Sequence, residues 1–359
     1  MKRRILSAVL AAVLALGLTA CGGSKSDSST SGNSGNSSTS SDSKPITVIF
    51  YSPNSGNYAS EAVKVMASTL TERSGGSMVG NCIEAGSAGT QEEAVQAMMS
   101  GDMNVIVNTI DRLENQIPGS SGSWLSLPFL FDSDEQAETD YYHGWMMDKM
   151  KELALAGGVH VYDYIYNGFK CISFTKDVHS YADWQNMKVR VPANDLFNTL
   201  CAAYGMQTVS GIDMYTSLQN GTVDAVLQSE EGHQTFKLEE VIKELVLIHD
   251  TFGSNLYSSS EAWYQSLTDE QKQILDEVIT EVAAEYNQKS MDAIDTYVNE
   301  TLPNAGVEVV IPDDAWKNEM KKAGIPLWES FLNNDSYDAE LREKLRTDYY
   351  EVNFADVLN

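Results

Sequence analysis

Strand-like and helix-like segments alternate without a break from Ile46 to Ile110, and this alternation constrains the fold more than any other feature of the chain. The stretch "PITVIFYSPNS" opens it, with Val48, Phe50 and their neighbours forming an apolar run that a turn closes. "YASEAVKVMASTLTERSGG" then shows helical spacing: Ala62, Val63, Met66, Ala67 and Leu70 share a face, and Gly75-Gly76 stop it. "MVGNCIEAG" reads as a second strand. "TQEEAVQAMMSGD" reads as a helix with a Ser-Gly end, and "MNVIVNTI" as a near-continuous apolar strand. A strand that is apolar on both faces must be covered on both faces, which predicts a parallel sheet flanked by helices.

The pattern then repeats. An aromatic-rich loop, a helix ending at Gly157-Gly158 and another strand lead into "FKCISFTK", where a second α/β unit begins. It holds the strand "KVRVP", a helix from about Asp195 to Tyr204, a short strand, a helix to Asn220-Gly221 and the strand "TVDAVL". Thr268 to Gln271, "TDEQ", has the form of a capping box. Ile274, Leu275, Val278, Ile279, Val282 and Ala283 follow on one helical face, with no breaker before Pro303. A helix of about 33 residues reaches roughly 50 Å, enough to span two domains. The 359 residues, 42% of them apolar, supply core for two domains of ordinary size.

The N-terminal segment is a separate matter. "MKRR" is cationic, and "ILSAVLAAVLALGLTA" is an apolar stretch of signal-peptide length. It ends "LTAC" at Leu18 to Cys21, which resembles a bacterial lipoprotein signal and makes Cys21 the expected lipidated residue. The alternative is an ordinary secretory signal with a chance cysteine. Gly22 to Ser43 is nearly all Ser, Gly, Asn and Thr, a flexible tether spanning roughly 25 Å. The expected location is outside the cytoplasm, either lipid-anchored to the outer face of the bacterial cell membrane or periplasmic.

Three of the 24 basic residues lie in the leader, so the remainder sets 21 basic residues against 51 acidic ones. Such a surface is a poor partner for nucleic acid. Beyond Cys21 there are Cys82, Cys171 and Cys201, an odd number that allows one disulfide and leaves a thiol over. No Cys/His spacing suggests zinc, and no metal or other cofactor is expected. The histidines at 143, 160, 179, 233 and 249 are dispersed, and G-x-S-x-G, H-E-x-x-H, a P-loop and a strand-borne G-x-G-x-x-G are all missing. Catalysis is therefore unsupported, and no catalytic residue is assigned.

One short strand carries a chemical hint. In "MKVRVPAND" Val189 and Val191 point to one face and Arg190 to the other, with Pro192 closing the strand. Arg190 thus sits near a strand end, where clefts of open α/β sheets lie. Its planar fork matches a carboxylate with two hydrogen bonds. Spacing alone equally allows a surface arginine paired with a nearby acid.

"LSLPFLFDSDEQA", "NGFKCISFTKDVHSYADWQNMKVRVP" and "MYTSLQNGTVDAV" together resemble the DctP-type solute-binding subunit of tripartite ATP-independent periplasmic (TRAP) transporters. "GTQEEAVQAMMSGDMNVIV" and "SSSEAWYQSLTDEQKQILDEVITEVAAEYNQKS" fit the same family, so the likeness runs from about Ile46 to Val310. The resemblance implies a two-domain, periplasmic-binding-protein-like α/β fold with a long helix crossing both domains. An inter-domain cleft would close on a small organic acid, and membrane permease subunits would receive it. The expected partition is a signal (1–21), a linker (22–44), a first domain (45–167 and about 256–295) and a second (168–255 and about 296–359).

The resemblance also nominates residues. Arg190 matches the family's carboxylate-binding arginine, and Lys170 stands where a second arginine is common, as a point charge without the fork. Glu93 stands where the family often has a cleft-facing glutamate, although helix N-terminal charge compensation explains it equally well. Gln228 stands for an asparagine in a segment where Ala225 and Leu227 also depart from the family's residues. Gly211 falls where many members place a stacking phenylalanine. Asn54 and Tyr215 are further candidate ligand contacts, with ordinary core or surface roles as the alternative. Rival functions are a ligand-sensing protein for a signalling receptor or an ATP-driven importer, an exported enzyme, or a structural surface protein.

Overall fold

The computed structural model describes residues 44–83, 85–110, 113, 122–253 and 255–358. Cys21, the leader and the Ser/Gly segment lie outside them. In chain order the elements that position the site are β1 (Ile46–Tyr51), α1 (Tyr58–Arg73), β2 (Met78–Ile83), α2 (Gln91–Ser100), β3 (Val105–Thr109), α3 (Trp145–Ala156) and β4 (Val159–Ile165). There follow β5 (Lys170–Phe174), β6 (Lys188–Arg190), α4 (Asp195–Ala203), β7 (Gln207–Val209), α5 (Met214–Gln219), β8 (Ala225–Ser229) and α6 (Glu230–Thr235). Last come β9 (Glu244–Val246), β10 (Asn255–Ser260), α7 (Asp269–Thr296), β11 (Glu308–Val310) and α8 (Asp314–Leu332).

The strands form two sheets, ordered β2-β1-β3-β10-β4 and β11-β9-β5-β8-β6-β7. β1 pairs in parallel with β2 and β3, as the strand–helix alternation requires. β10 inserts antiparallel between β3 and β4, far from both in sequence. Its "NLYSSS" is a weak strand signal. Ser258 and Ser259 are nonetheless fully buried, because Asn108 Nδ2 donates to Ser258 Oγ at 2.6 Å and Tyr162 Oη lies 3.0 Å from Ser259 Oγ. A buried polar strand is tolerable only with such partners.

The main chain passes between the sheets along two short segments, after β4 and before β10. These pair with each other: Lys170 N donates to Thr251 O, Gly253 N donates to Gly168 O, and Phe169 bridges Phe252. A Cβ at Gly253 would fall 1.7 Å from Asn167 Oδ1, so any other residue there would displace the Asn167 side chain.

The third crossing is α7. Thr268 caps it reciprocally with Gln271 at 3.2 and 2.9 Å. Leu275, Val278, Ile279, Val282 and Ala283 pack into the core of the first sheet with Val48, Phe50 and Met66. Beyond the helix end, Tyr297 and Leu302 pack with Val226 and Leu245 of the second sheet. The regular helix is shorter than the sequence suggests: it runs 28 residues, then a wider turn from Tyr297 to Thr301 precedes Pro303. The helical path still reaches both lobes. α8 touches both as well, since Trp328 Nε1 donates to Pro128 O while the helix also packs on α4.

Candidate functional site

The parallel strands of both lobes direct their C-terminal ends toward one cavity of about 310 Å³, within the size range of small-molecule sites. Arg190 is the last residue of β6, Gln228 and Ser229 end β8, and Lys170 opens the antiparallel β5. From the first sheet come Thr109, ending β3, and Asn255, its pairing partner on β10. Helices α1, α2 and α4 begin at the cavity wall, through Asn57, Gln91 and Asn194. A helix N-terminus carries partial positive charge and favours an anion.

Arg190 is the decisive side chain. Its Nε and Nη1 are buried without a hydrogen-bond partner among the described residues. Burial lowers its pKa, opposed by the charge of Asp213. Asp213 is the exposed N-cap of α5, bonded to Thr216 N at 2.8 Å. A buried guanidinium with unmet donors is costly on its own, and a carboxylate in the cavity would meet them. Thr109 Oγ1 and Asn167 Oδ1, in the same cavity wall, likewise have no partner among the described residues.

Lys170 is buried, with Nζ 5.4 Å above the Phe197 ring. Near it Glu231 is also buried, and burial raises its pKa. Its Oε1 accepts from Thr235 Oγ1 at 3.2 Å and from Tyr58 N at 3.4 Å. The second contact crosses the cleft from α6 to the start of α1. Carboxamides line much of the remaining wall: Asn54, Asn57 and Gln91 on one side, Asn194 and Gln228 on the other, and Asn167 and Asn255 at the crossing segments. Phe197, Met214, Phe236 and Phe252 supply apolar surface.

Of the residues nominated from sequence, Arg190, Lys170, Gln228 and Asn54 line this cavity and Glu93 and Tyr215 do not. Glu93 is exposed and completes the capping box of α2: its Oε2 accepts from Thr90 N at 2.7 Å. The local helix-terminal alternative thus accounts for it. Tyr215 points instead to Glu240, donating at 2.7 Å. Gln228 faces the cavity, but its Oε1 accepts from its neighbour Ser229 N at 2.9 Å. Gly211 lines the cavity at φ +75°, and a Cβ there would meet nothing within 4 Å. The wall is open where the family's stacking ring is expected.

Sequence reasoning missed Asn57, Gln91, Asn167, Asn194, Glu231 and Asn255. Asn57 and Asn194 carry the N-cap signal, but a cap signal marks a helix start and does not say where the helix points. Cys82, Cys171 and Cys201 are all free thiols. Cys171 Sγ does lie 3.4 Å from His233 Nδ1. That nitrogen also contacts Ser229 O at 2.9 Å, and both side chains are fully buried. Burial drives the thiol pKa well up and the imidazole down to about 4, so the pair holds neither a thiolate nor an imidazolium near neutral pH. Among the described residues no group of three or more His, Cys, Asp or Glu could hold a metal, and no helix is long and apolar enough to cross a membrane.

A family profile described as DctP, bacterial extracellular solute-binding protein family 7, matches residues 51–335. The chain is 24% identical over 288 residues to the sialic acid-binding periplasmic protein of Vibrio cholerae, covering 78% of this chain and 86% of that one. Among solved structures, a TRAP periplasmic solute-binding protein from Ochrobactrum anthropi superposes with a TM-score of 0.75 at 21% identity, covering 88% of this chain and 96% of that one. Another, from Sulfitobacter sp. NAS-14.1 with bound β-D-galacturonate, gives a TM-score of 0.74 at 21% identity over 85% and 99%.

Proposed function

The chain belongs to bacterial extracellular solute-binding protein family 7, and from that premise we propose that it captures a small organic carboxylate between its lobes and delivers it to a TRAP-type membrane permease. It is a binding protein and not an enzyme. The observation that carries the carboxylate is Arg190, half-buried at a strand end, with its buried Nε and Nη1 unmet by the described residues. A bidentate carboxylate satisfies both at once. Three converging helix N-termini support the same charge. The carboxamide-rich wall offers donors and acceptors together, which suits a ligand bearing several hydroxyls, such as a sugar acid. A relative's structure with bound galacturonate is in keeping with that.

A ligand that binds only the folded protein raises its unfolding temperature. The expected result of a thermal-shift screen over sugar acids, keto acids, monocarboxylates and dicarboxylates is a saturable shift with at least one of them. A screen with no shift contradicts the reading. The protein works outside the cytoplasm, and we propose lipid attachment at Cys21 as the tether. Metabolic labelling with a fatty acid should mark the protein and leave a Cys21→Ser variant unmarked; equal labelling of both refutes the anchor.

A further inference from the structure

We propose that Glu231 sets the charge that the cavity accepts, so that the protein selects singly charged hydroxy acids over dicarboxylates of equal length. This deepens the carboxylate reading above and rests on it. The described lining residues carry three formal charges: Arg190, Lys170 and Glu231. They fall into two groups. The acid acting on Arg190 is Asp213, outside the lining, whereas Glu231 and Lys170 act on each other. β8 lies between the strand that carries Arg190 and the strand that Lys170 opens, so the unmet guanidinium donors and the Lys170–Glu231 charges belong to separate parts of the wall.

The Glu231 part of the wall still has an acceptor to offer. Glu231 is 6% exposed, and its Oε1 is occupied by Thr235 and Tyr58. Its Oε2 accepts no hydrogen bond from the described residues and belongs to a residue lining the cavity. A ligand hydroxyl can donate to that oxygen. A second ligand carboxylate cannot, and it would add like charge in a confined site. With two cations and one anion among the described lining residues, a singly charged ligand balances their charge and a dianion exceeds it.

The test uses matched pairs in which only the far end changes: D-gluconate with D-glucarate, D-galactonate with galactarate, and 4-hydroxybutyrate with succinate. Calorimetry on the wild-type protein should favour the monoanion by at least roughly tenfold in any pair that binds. Glu231→Gln keeps the shape and removes the charge, and should narrow the ratio to about threefold or less. Glu231→Asp keeps the charge and should keep the preference. Parity in the wild type, or an unchanged ratio in Glu231→Gln, overturns the assignment to Glu231 while leaving the carboxylate reading intact. If the wild type binds no acid in the panel, the preference for hydroxy acids is overturned, and the thermal-shift screen above decides the carboxylate reading separately.

Discussion

In the half-buried Arg190, Nε and Nη1 combine two properties that rarely coincide: they are buried, and neither has a partner among the described residues. Most buried ionic groups are paired, because an isolated charge loses its hydration without compensation. The cost of Arg190 is therefore carried by the unliganded protein and recovered on binding. Two consequences separate this role from a structural one. Arg190→Ala should weaken the ligand by at least about tenfold, near 1.4 kcal/mol, while leaving the stability of the unliganded protein unchanged or slightly higher. Arg190→Lys should recover only part of the affinity, since an ammonium lacks the fork. Calorimetry and chemical denaturation read the two effects; equal affinity in Arg190→Ala rules the role out. How far the site could be read beforehand also shows at this scale. Arg190 is legible because charge is conspicuous in an apolar strand, and Lys170 only through the family resemblance. The carboxamides are not, since Asn and Gln at element ends have ordinary turn and cap duties.

α7 is the element that ties ligand site to scaffold. About two thirds of the way along it, Asn287 is buried and clamps the end of β4: Tyr166 N donates to its Oδ1 at 2.9 Å, and its Nδ2 donates to Tyr164 O at 3.3 Å. A buried amide inside a helix is justified only by such bonds. It fixes the crossing segment that carries Asn167 and leads into Lys170. Asn287→Ala removes both of these buried bonds and should cost about 1–3 kcal/mol of stability. Urea denaturation checks this, and a loss below about 0.5 kcal/mol would mean that the clamp contributes nothing net. The sequence announced the start of α7 through Thr268 and Gln271. It also announced the apolar face, but Asn287 read as one more polar residue in a mostly polar stretch.

At the scale of the whole molecule, the two sheets divide the chain at the paired segments 168–170 and 251–253. We propose that the domains bounded at 167/168, 255/256 and 295/296 grip the ligand from both sides. β11 joins the second sheet, while α8 packs against Pro128 as well as α4, so the C-terminal region beyond 296 holds to both. Hydrogen exchange tests the two-sided grip. Ligand should slow exchange in residues 57–60 of the first lobe and in residues 190–198 and 228–236 of the second together, leaving the edge strands β2 and β7 unchanged. Protection confined to one lobe would contradict capture between them.

Local patterns determined what local forces decide. Helical period and capping set α1 and α7, strand hydrophobicity set β1 and β3, and strand–helix order set the parallel pairing of the first sheet. These signals act over a few residues, so a single sequence displays them. Tertiary structure decided the rest. It seated the serine-rich β10 in the first sheet, aimed Glu93 at its own helix and Tyr215 at Glu240, and brought Glu231 against Tyr58, 173 residues away. Such pairings depend on which buried polar groups can satisfy one another in space, and separation along the chain carries no record of that.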